Sequence, residues 1–375
     1  MNKVSVCHIS NTRKRNNGRF RKECETLANS GYDVTLLLSK DMEEDEIINK
    51  VKVRSIRFNK TGKLAKIFKL QNELYKEALK IDSDIYQIHD VTLLPVGTKL
   101  KKQGKKVIMD YNEDYEALMK KHPWIPKSLQ SIFGKIYSLY EKNALKKMDS
   151  ILSVTPHITK RLSEINKNTM EINNFPFIEK KIINDYTKEN ICFAGSISSV
   201  YMHKNIIQAI EPFSKVTYHI AGITDPNYYD MLTQLPGWRK VKYYGVVSFD
   251  KIKNIYSDSS IGVVIHEYHP NTDWKRGTLG NNKLFEYMMM GLPVVCTDFT
   301  LWKEIIDEWQ CGIYVNPYNI SEIQNAIKKI LTTPGLAKLM GQNGRKAALE
   351  KYNWDNNLAN KYLDVYRKLS RLSRY

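Results

Sequence analysis

Long apolar runs are absent from this sequence. No segment approaches the ~18 consecutive apolar residues that a membrane-spanning helix needs. Cysteine is scarce: the five are Cys7, Cys24, Cys192, Cys296 and Cys311. Their number is odd, they are scattered, and no C-x-x-C occurs, which excludes a disulfide framework or zinc cluster and fits a reducing cytoplasm. Cys7, Cys192 and Cys296 fall in apolar runs, where free cysteine acts as a small core residue. Glycine (18) and proline (12) are also few, and neither a low-complexity tract nor a repeat of solenoid length occurs. The opening MNKVSVCHIS is too short and too soon polar for a signal peptide and reads as a core strand.

Acidic residues are outnumbered, 40 against 58 Lys and Arg, for a net charge of +18. Such a surplus calls for an anionic partner: nucleic acid, a membrane surface or a phosphorylated substrate. It is uneven. Lys99 to Lys147 holds twelve Lys against five acids, +7 in that stretch.

What is present is an alternation of short β-rich runs with helical patterns. VSVCHI, DVTLLL, VKVRSI, DIYQIH, KKVIMD and SILSV lead the first half, and NICFAG, VTYHIAG, VKYYG, SIGVVIH, LPVVCT and CGIYV the second. The 375 residues exceed one ordinary core. Two series of this kind predict an α/β fold of two Rossmann-like, doubly wound domains facing a cleft. The domains read as 1–180 and 181–353, joined through NFPFIEKKIINDYTKE, which is polar and aperiodic. A terminal helix over 354–375 follows, opening at YNWD, with Asn353 or Asp355 as its cap and a return to the first domain expected.

In open parallel sheets ligands bind beyond the carboxyl ends of the strands, so the strand-to-helix loops carry the chemistry. The longest, EYHPNTDWKRGTLGN after SIGVVIH, enters the helix NKLFEYMMM, which Gly291 closes. Gly280, Asn281 and Asn282 place backbone N–H groups at a helix N-terminus, a ready anion site. Lys283 adds a cation, and Glu286 lies on the same helix face. A carboxylate there can accept two hydrogen bonds from a ribose diol while Lys283 and the amides hold phosphates. The alternative is an exposed Lys–Glu pair on an ordinary helix. In the first loop, NTRKRNNGRF, Arg13, Lys14, Arg15 and Arg19 crowd a helix N-terminus, unfavourable unless anions visit, and Gly18 permits close approach to the backbone. A solvated basic loop is the other reading. His89 ends DIYQIH, where a lone His more often packs than titrates. His266-x-x-His269 lacks a third ligand, so no metal is expected.

The stretch NNKLFEYMMMGLPVV resembles the signature of glycosyltransferase family 4, retaining sugar transferases of GT-B architecture. CHIS…GRFRKECETLANSGYDVTLLL, IHDVTLLPVGTKLKKQGKKVIMDYNEDY, CFAGSIS…HKNI and GRKAALEKYNWD extend the likeness over nearly the whole chain, towards members that act on bacterial surface polysaccharides. The resemblance implies a nucleotide-diphosphate sugar donor, UDP-linked, held by the second domain through Gly195, Ser196, Lys204, Val247, Gly280, Asn281, Asn282, Lys283 and Glu286, with Glu286 on the ribose. It implies a glycan or lipid-linked acceptor on the first domain, no cofactor, and protein groups rather than a metal on the pyrophosphate. Gly18, Arg19, His89 and Thr278 fall on the sugar or acceptor side, and Asn112, Glu113 and Lys204 in the catalytic set. Three positions depart from the family pattern. Thr278 stands where many members carry a Glu, Ser196 where an Arg is common, and Asn112 where a His is common.

Finally, Leu129, Ile132, Phe133, Ile136, Leu139 and Tyr140 share one face of a helical run over Lys127–Lys147, with Lys127, Lys135, Lys142 and Lys146 on another. Such a helix can lie on an anionic membrane; the favoured reading is that the apolar face covers the sheet core, leaving the Lys row free to touch lipid. A hydrolysing nucleotide-sugar epimerase shares the architecture but needs acid–base groups where Asn112 stands. A nucleic-acid binder would explain the charge, yet no aromatic-and-basic RNA motif or recognition helix occurs, so no nucleic-acid partner is expected.

Overall fold

A computed structural model describes residues 3–11, 18–39, 45–56, 63–112, 128, 130–180 and 184–372. The chain forms two compact units, Met1–Asn174 with Asp355–Tyr375, and Phe175–Trp354. The join lies upstream of position 180, where the sequence places it. The Phe175 ring meets Phe285 at 4.6 Å and Tyr352 at 5.4 Å, centroid to centroid, and so belongs to the second unit's core.

Within the first unit, strands β1 (Ser5–Ser10), β2 (Asp33–Leu38), β3 (Glu46–Ile48), β4 (Val51–Ser55), β5 (Ile85–Ile88), β6 (Lys106–Tyr111), β7 (Ser150–Ser153) and β8 (Thr169–Glu171) form one sheet, ordered β3-β4-β2-β1-β5-β6-β7-β8. All neighbours are parallel except β3 and β4. β3 and β8, short strands at the two edges of the sheet, escape sequence reading. The helices are α1 (Gly18–Asn29), α2 (Lys63–Ile81), α3 (Leu94–Lys102), α4 (Gln130–Leu145) and α5 (Pro156–Ile165). The central strands are apolar and buried, as parallel strands covered on both faces must be.

Helix α4 overturns an expectation. Ile132, Phe133, Ile136, Leu139 and Tyr140 are exposed rather than laid on the sheet, while Gly134, Glu141, Ala144 and Leu145 are buried. The inward face is fixed by Glu141, which accepts hydrogen bonds from the Tyr111 hydroxyl (2.6 Å) and Arg161 Nη1 (3.1 Å). Leu129 and Lys127 lie outside the described residues.

The second unit carries β9 (Asn190–Ala194), β10 (Thr217–Ala221), β11 (Val241–Tyr243), β12 (Ile261–Val264), β13 (Val294–Thr297) and β14 (Gly312–Val315), all parallel, ordered β11-β10-β9-β12-β13-β14. Counted within the unit this is the 3-2-1-4-5-6 order of a dinucleotide-binding fold. Its helices are α6 (His203–Ile210), α7 (Pro226–Thr233), α8 (Phe249–Ser257), α9 (Asn282–Met289), α10 (Thr300–Trp309), α11 (Ile320–Leu331) and α12 (Pro334–Glu350). The order reverses between β9 and β12, and the loops leaving those two strands meet there.

At the end, α13 (Trp354–Asn357) and α14 (Ala359–Leu372) replace one continuous helix. Asn353 ties back to the preceding helix, its Nδ2 donating to the carbonyls of Ala348 and Leu349 at the end of α12. Within the first unit, the Tyr362 and Tyr366 hydroxyls of α14 both donate to Gln87 Oε1 on β5.

Candidate functional site

Helix α9 is seated by a missing side chain. Gly262 on β12 faces the Tyr287 ring so closely that a Cβ there would lie 2.2 Å from it. Tyr287 is fully buried, and this contact brings the helix down onto the strand ends. Asn281 caps the helix, its Oδ1 accepting from the Lys283 N–H at 3.1 Å, an arrangement worth about 1 kcal/mol. Gly291, at φ +75°, closes it in a conformation that favours glycine.

Lys283 therefore points along the end of β9. Its side chain is 8% exposed. The ammonium lies 4.7 Å from the Tyr201 ring centroid, 5.3 Å from that of Phe193, and 3.4 Å from the Tyr201 hydroxyl. No carboxylate pairs with it among the described residues. A nearly buried cation costs several kcal/mol unless something neutralises it, and aromatic faces return only part of that, about 1–2 kcal/mol. Its field reaches two neighbours. His203 is driven down to about 3 by burial and then by Lys283. His266 falls to about 4, by burial first with Lys283 among the smaller causes. Both imidazoles are neutral at neutral pH, so an anion here meets an ammonium and two neutral rings.

Glu286 sits one turn on, partly buried. Its Oε1 accepts from Asn282 Nδ2 (2.6 Å) and its Oε2 from the Tyr256 hydroxyl (3.1 Å). The carboxylate is thereby held in one orientation rather than swinging towards Lys283.

The neighbouring loops repeat one device. Gly195 and Gly222 follow β9 and β10 directly, and Gly245 follows β11 one residue later. The Gly195 N–H donates to Ala221 O (2.9 Å) and the Gly222 N–H to Gly245 O (2.7 Å), carrying the ladder past the strands. Ser196 and Lys204 are exposed, Lys204 as the second residue of α6. His203, the other basic residue at that helix start, is buried with Nδ1 bonded to the Tyr218 hydroxyl at 2.9 Å. Val247 is half-buried, and Ser248 beside it caps α8 through the Lys251 N–H.

One feature of the loop before α9 differs from expectation. The Gly280 N–H, read as an anion donor, is taken by Thr278 Oγ1 at 2.9 Å. Thr278 is further tied through its carbonyl to the Trp302 indole N–H at 2.8 Å. A short Ser/Thr turn here satisfies the backbone locally. His266 Nδ1 meets the Glu267 carbonyl at 2.7 Å.

In the first unit, Arg19 and His89 turn inwards. Arg19 donates to both oxygens of Asp110, at 2.7 and 3.0 Å, and lies 3.0 Å from Glu23. His89 joins Asp110 through Nδ1 and His8 through Nε2, both at 2.8 Å, with the Phe20 ring against it. His8, Glu23 and His89 bring ligand atoms within 4.8 Å of one another. Arg19 already supplies the positive charge among these acids, and His8 and His89 spend a nitrogen on each other. Gly18 is exposed, and a Cβ there would meet nothing within 4 Å. Asn112 donates to Asp110 Oδ2 at 3.0 Å, and its Oδ1 is buried without a hydrogen-bond partner among the described residues. Glu113, Arg13, Lys14 and Arg15 lie outside them.

Tyr201, Phe193 and Tyr256, which hold the two charged groups of α9, escape sequence reading. They lie 82, 90 and 30 residues from those groups, and only the sheet order unites them.

With this geometry in view, the likeness to known proteins is specific. The model for "Glycosyltransferase Family 4" matches residues 20–172 and that for "Glycosyl transferases group 1" matches residues 174–347. The chain belongs to the family 4 glycosyltransferases. A family member of GT-B architecture is also what its two parallel-sheet α/β units resemble. The chain is 32% identical over 150 residues to an uncharacterized glycosyltransferase of Methanocaldococcus jannaschii, covering 40% of this chain and 36% of that one. It thus spans about a third of that relative's length. Sucrose-phosphate synthase from Thermosynechococcus elongatus superposes with a TM-score of 0.79 at 17% identity, over 99% of this chain and 100% of that one. The Anabaena HepE protein, solved with UDP and glucose, does so with a TM-score of 0.72 at 12% identity and the same coverage. At these identities the structural likeness speaks for the fold.

Proposed function

We propose that this family member is a retaining glycosyltransferase that moves a sugar from a nucleotide-diphosphate sugar, UDP-linked, to a glycan or lipid-linked sugar in bacterial surface-polysaccharide assembly. The observation that carries the reading is the buried, unneutralised ammonium of Lys283 at the switch point of the second unit's sheet, beside a carboxylate held by Asn282 and Tyr256. A diphosphate supplies the missing negative charge, and the ribose diol supplies donors for Glu286. The UDP in the HepE structure, a protein of the same fold, supports the choice of nucleotide.

In the proposed reaction the anomeric carbon–oxygen bond breaks and its electron pair leaves with the diphosphate. Lys283, the Asn281–Asn282 amides and exposed Lys204 stabilise the charge that grows there. The acceptor hydroxyl attacks from the same face, and its proton passes to the departing phosphate oxygen. Asn112 accepts a hydrogen bond from a sugar hydroxyl through its open Oδ1 but cannot titrate, so it orients without acid–base exchange. That property separates this reading from a hydrolysing epimerase.

The test is release of nucleotide diphosphate from a panel of nucleotide sugars, with and without a lipid-linked sugar acceptor, for the native chain, Lys283→Ala and Glu286→Ala. Turnover that depends on acceptor and weakens in both variants at limiting donor supports transfer. Full turnover by either variant sinks the site assignment, and release coupled to sugar epimerisation without acceptor sinks transfer itself.

A further inference from the structure

Helix α9 is held at both ends, and the second hold lies away from the residues that carry its charge. At a helix C-terminus the last carbonyls have no partner within the helix. Here three consecutive ones are each taken by a side chain from elsewhere in the second unit. Arg345 Nη1, on α12, donates to Met289 O, Asn184 Nδ2 donates to Met290 O at 2.9 Å, and the Tyr186 hydroxyl donates to Gly291 O at 2.7 Å. Arg345 reaches further, its Nη2 donating to Glu179 O at 2.9 Å. One guanidinium thus ties the end of α9 to the segment leading into β9, and that same segment supplies Asn184 and Tyr186. A cation at a helix C-terminus is favourable in its own right. Glycine makes the approach close: a Cβ at Gly341 of α12 would lie 2.1 Å from Gly291 O and 2.6 Å from the Tyr186 hydroxyl. Beside Met290 opens a cavity of about 530 Å³, lined in part by Ile178, Lys180, Asn254 and Ser257. Packing is incomplete on that side, so more of the restraint falls on these hydrogen bonds.

We infer that Arg345, Asn184 and Tyr186 are positioning residues: by clamping the C-terminal end of α9 they set where Lys283 and Glu286 stand near its other end. The helix has eight residues, a rod of only about 12 Å. Tyr287, seated on Gly262, gives it a fulcrum near the clamped end. A shift at Met289 is therefore passed on to Lys283, whose ammonium keeps its place over Gly195 and against the Tyr201 and Phe193 rings. Bridging two carbonyls calls for the planar fork of arginine, because the single ammonium of lysine has no fixed fork geometry. The effect on donor affinity rests on the proposed function, whereas the effect on the place of Lys283 does not.

Two measurements on the full chain test it: UDP affinity by titration calorimetry, and the NMR titration of His203, held low by burial and then by Lys283. In Arg345→Met and in Tyr186→Phe, UDP affinity should fall about fivefold to tenfold, and His203 should titrate higher than in the native chain as Lys283 moves off. Arg345→Lys should recover only part of each change. Asn353→Ala is the control, since it strips two carbonyl bonds from the end of α12 and none from α9. It should lower the thermal midpoint and leave both readings native. Should Arg345→Met fail to fold, Tyr186→Phe, smaller by one oxygen, decides. Native affinity and a native His203 titration in the folded variants overturn the inference and leave the clamp a stability device. Equal shifts in Asn353→Ala overturn it as well, because general loosening then suffices. A native chain that does not bind UDP counts against the proposed function, and the His203 titration then decides the clamp alone.

Discussion

The end of the Lys283 side chain passes directly over Gly195. A Cβ at residue 195 would stand 2.2 Å from Lys283 Cε and 2.7 Å from its Nζ. Residue 195 is thus held to glycine by a side chain 88 positions later. Gly195→Ala should push the ammonium aside while leaving the core intact, since the far end of a flexible side chain can move. Affinity for UDP, measured by titration calorimetry, is expected to fall on the order of tenfold, about 1.4 kcal/mol, with a modest drop in the thermal midpoint from the φ of +158° at residue 195. Undiminished affinity would place the anion elsewhere.

Gly222 makes the contrasting case. A Cβ there would meet the Gly195 carbonyl oxygen at 1.6 Å, backbone that cannot swing away. Gly222→Ala is expected to destabilise the second unit by about 2–3 kcal/mol, read as a lower denaturation midpoint in urea. A midpoint equal to the native one would contradict this packing.

The Lys283 charge should be visible in histidine titrations. Burial is the larger cause holding His203 at about 3, with Lys283 second, and His266 lies at about 4. Lys283→Met should raise both in NMR titrations, with His203 staying below 6.5 because burial persists. The linked stability has a definite sign. Between these values and 6.5 the unfolded chain binds more protons at both positions, so they make the second unit less stable as pH falls through that window. The variant should lose stability less steeply over the same window, and an identical slope would separate Lys283 from these rings.

In the first unit, one guanidinium serves two buried carboxylates. Burial, partly opposed by Arg19, raises Glu23 to about 7. Asp110, although buried, is held well below the usual carboxylate range by Arg19 and His89. Glu23's contribution is full below its unfolded value near 4.5 and is lost as pH rises through about 7, whereas Asp110's is lost only in strong acid. Glu23→Gln should therefore flatten the decline in stability from about pH 5 to about pH 8. Asp110→Asn should cost about 3 kcal/mol at neutral pH, since it removes the two-oxygen partner of Arg19 and leaves that buried guanidinium Glu23 as its carboxylate. Urea midpoints across that range decide both.

Much of this molecule was legible in the sequence. Twelve strands could be read because buried parallel strands are continuous apolar runs, and the start of α9 because its cap Asn281 and the period that follows are local in the chain. Tertiary structure decided what depends on partners far away. Sheet order brought Tyr201 and Phe193 to Lys283 and Tyr256 to Glu286. It turned Arg19 and His89 inwards, because Asp110 on a neighbouring strand offered a buried countercharge. It also reversed α4: periodicity fixes which residues share a helix face, but only the groups waiting on the unit, Tyr111 and Arg161, decided that the face bearing Glu141 would be the one buried.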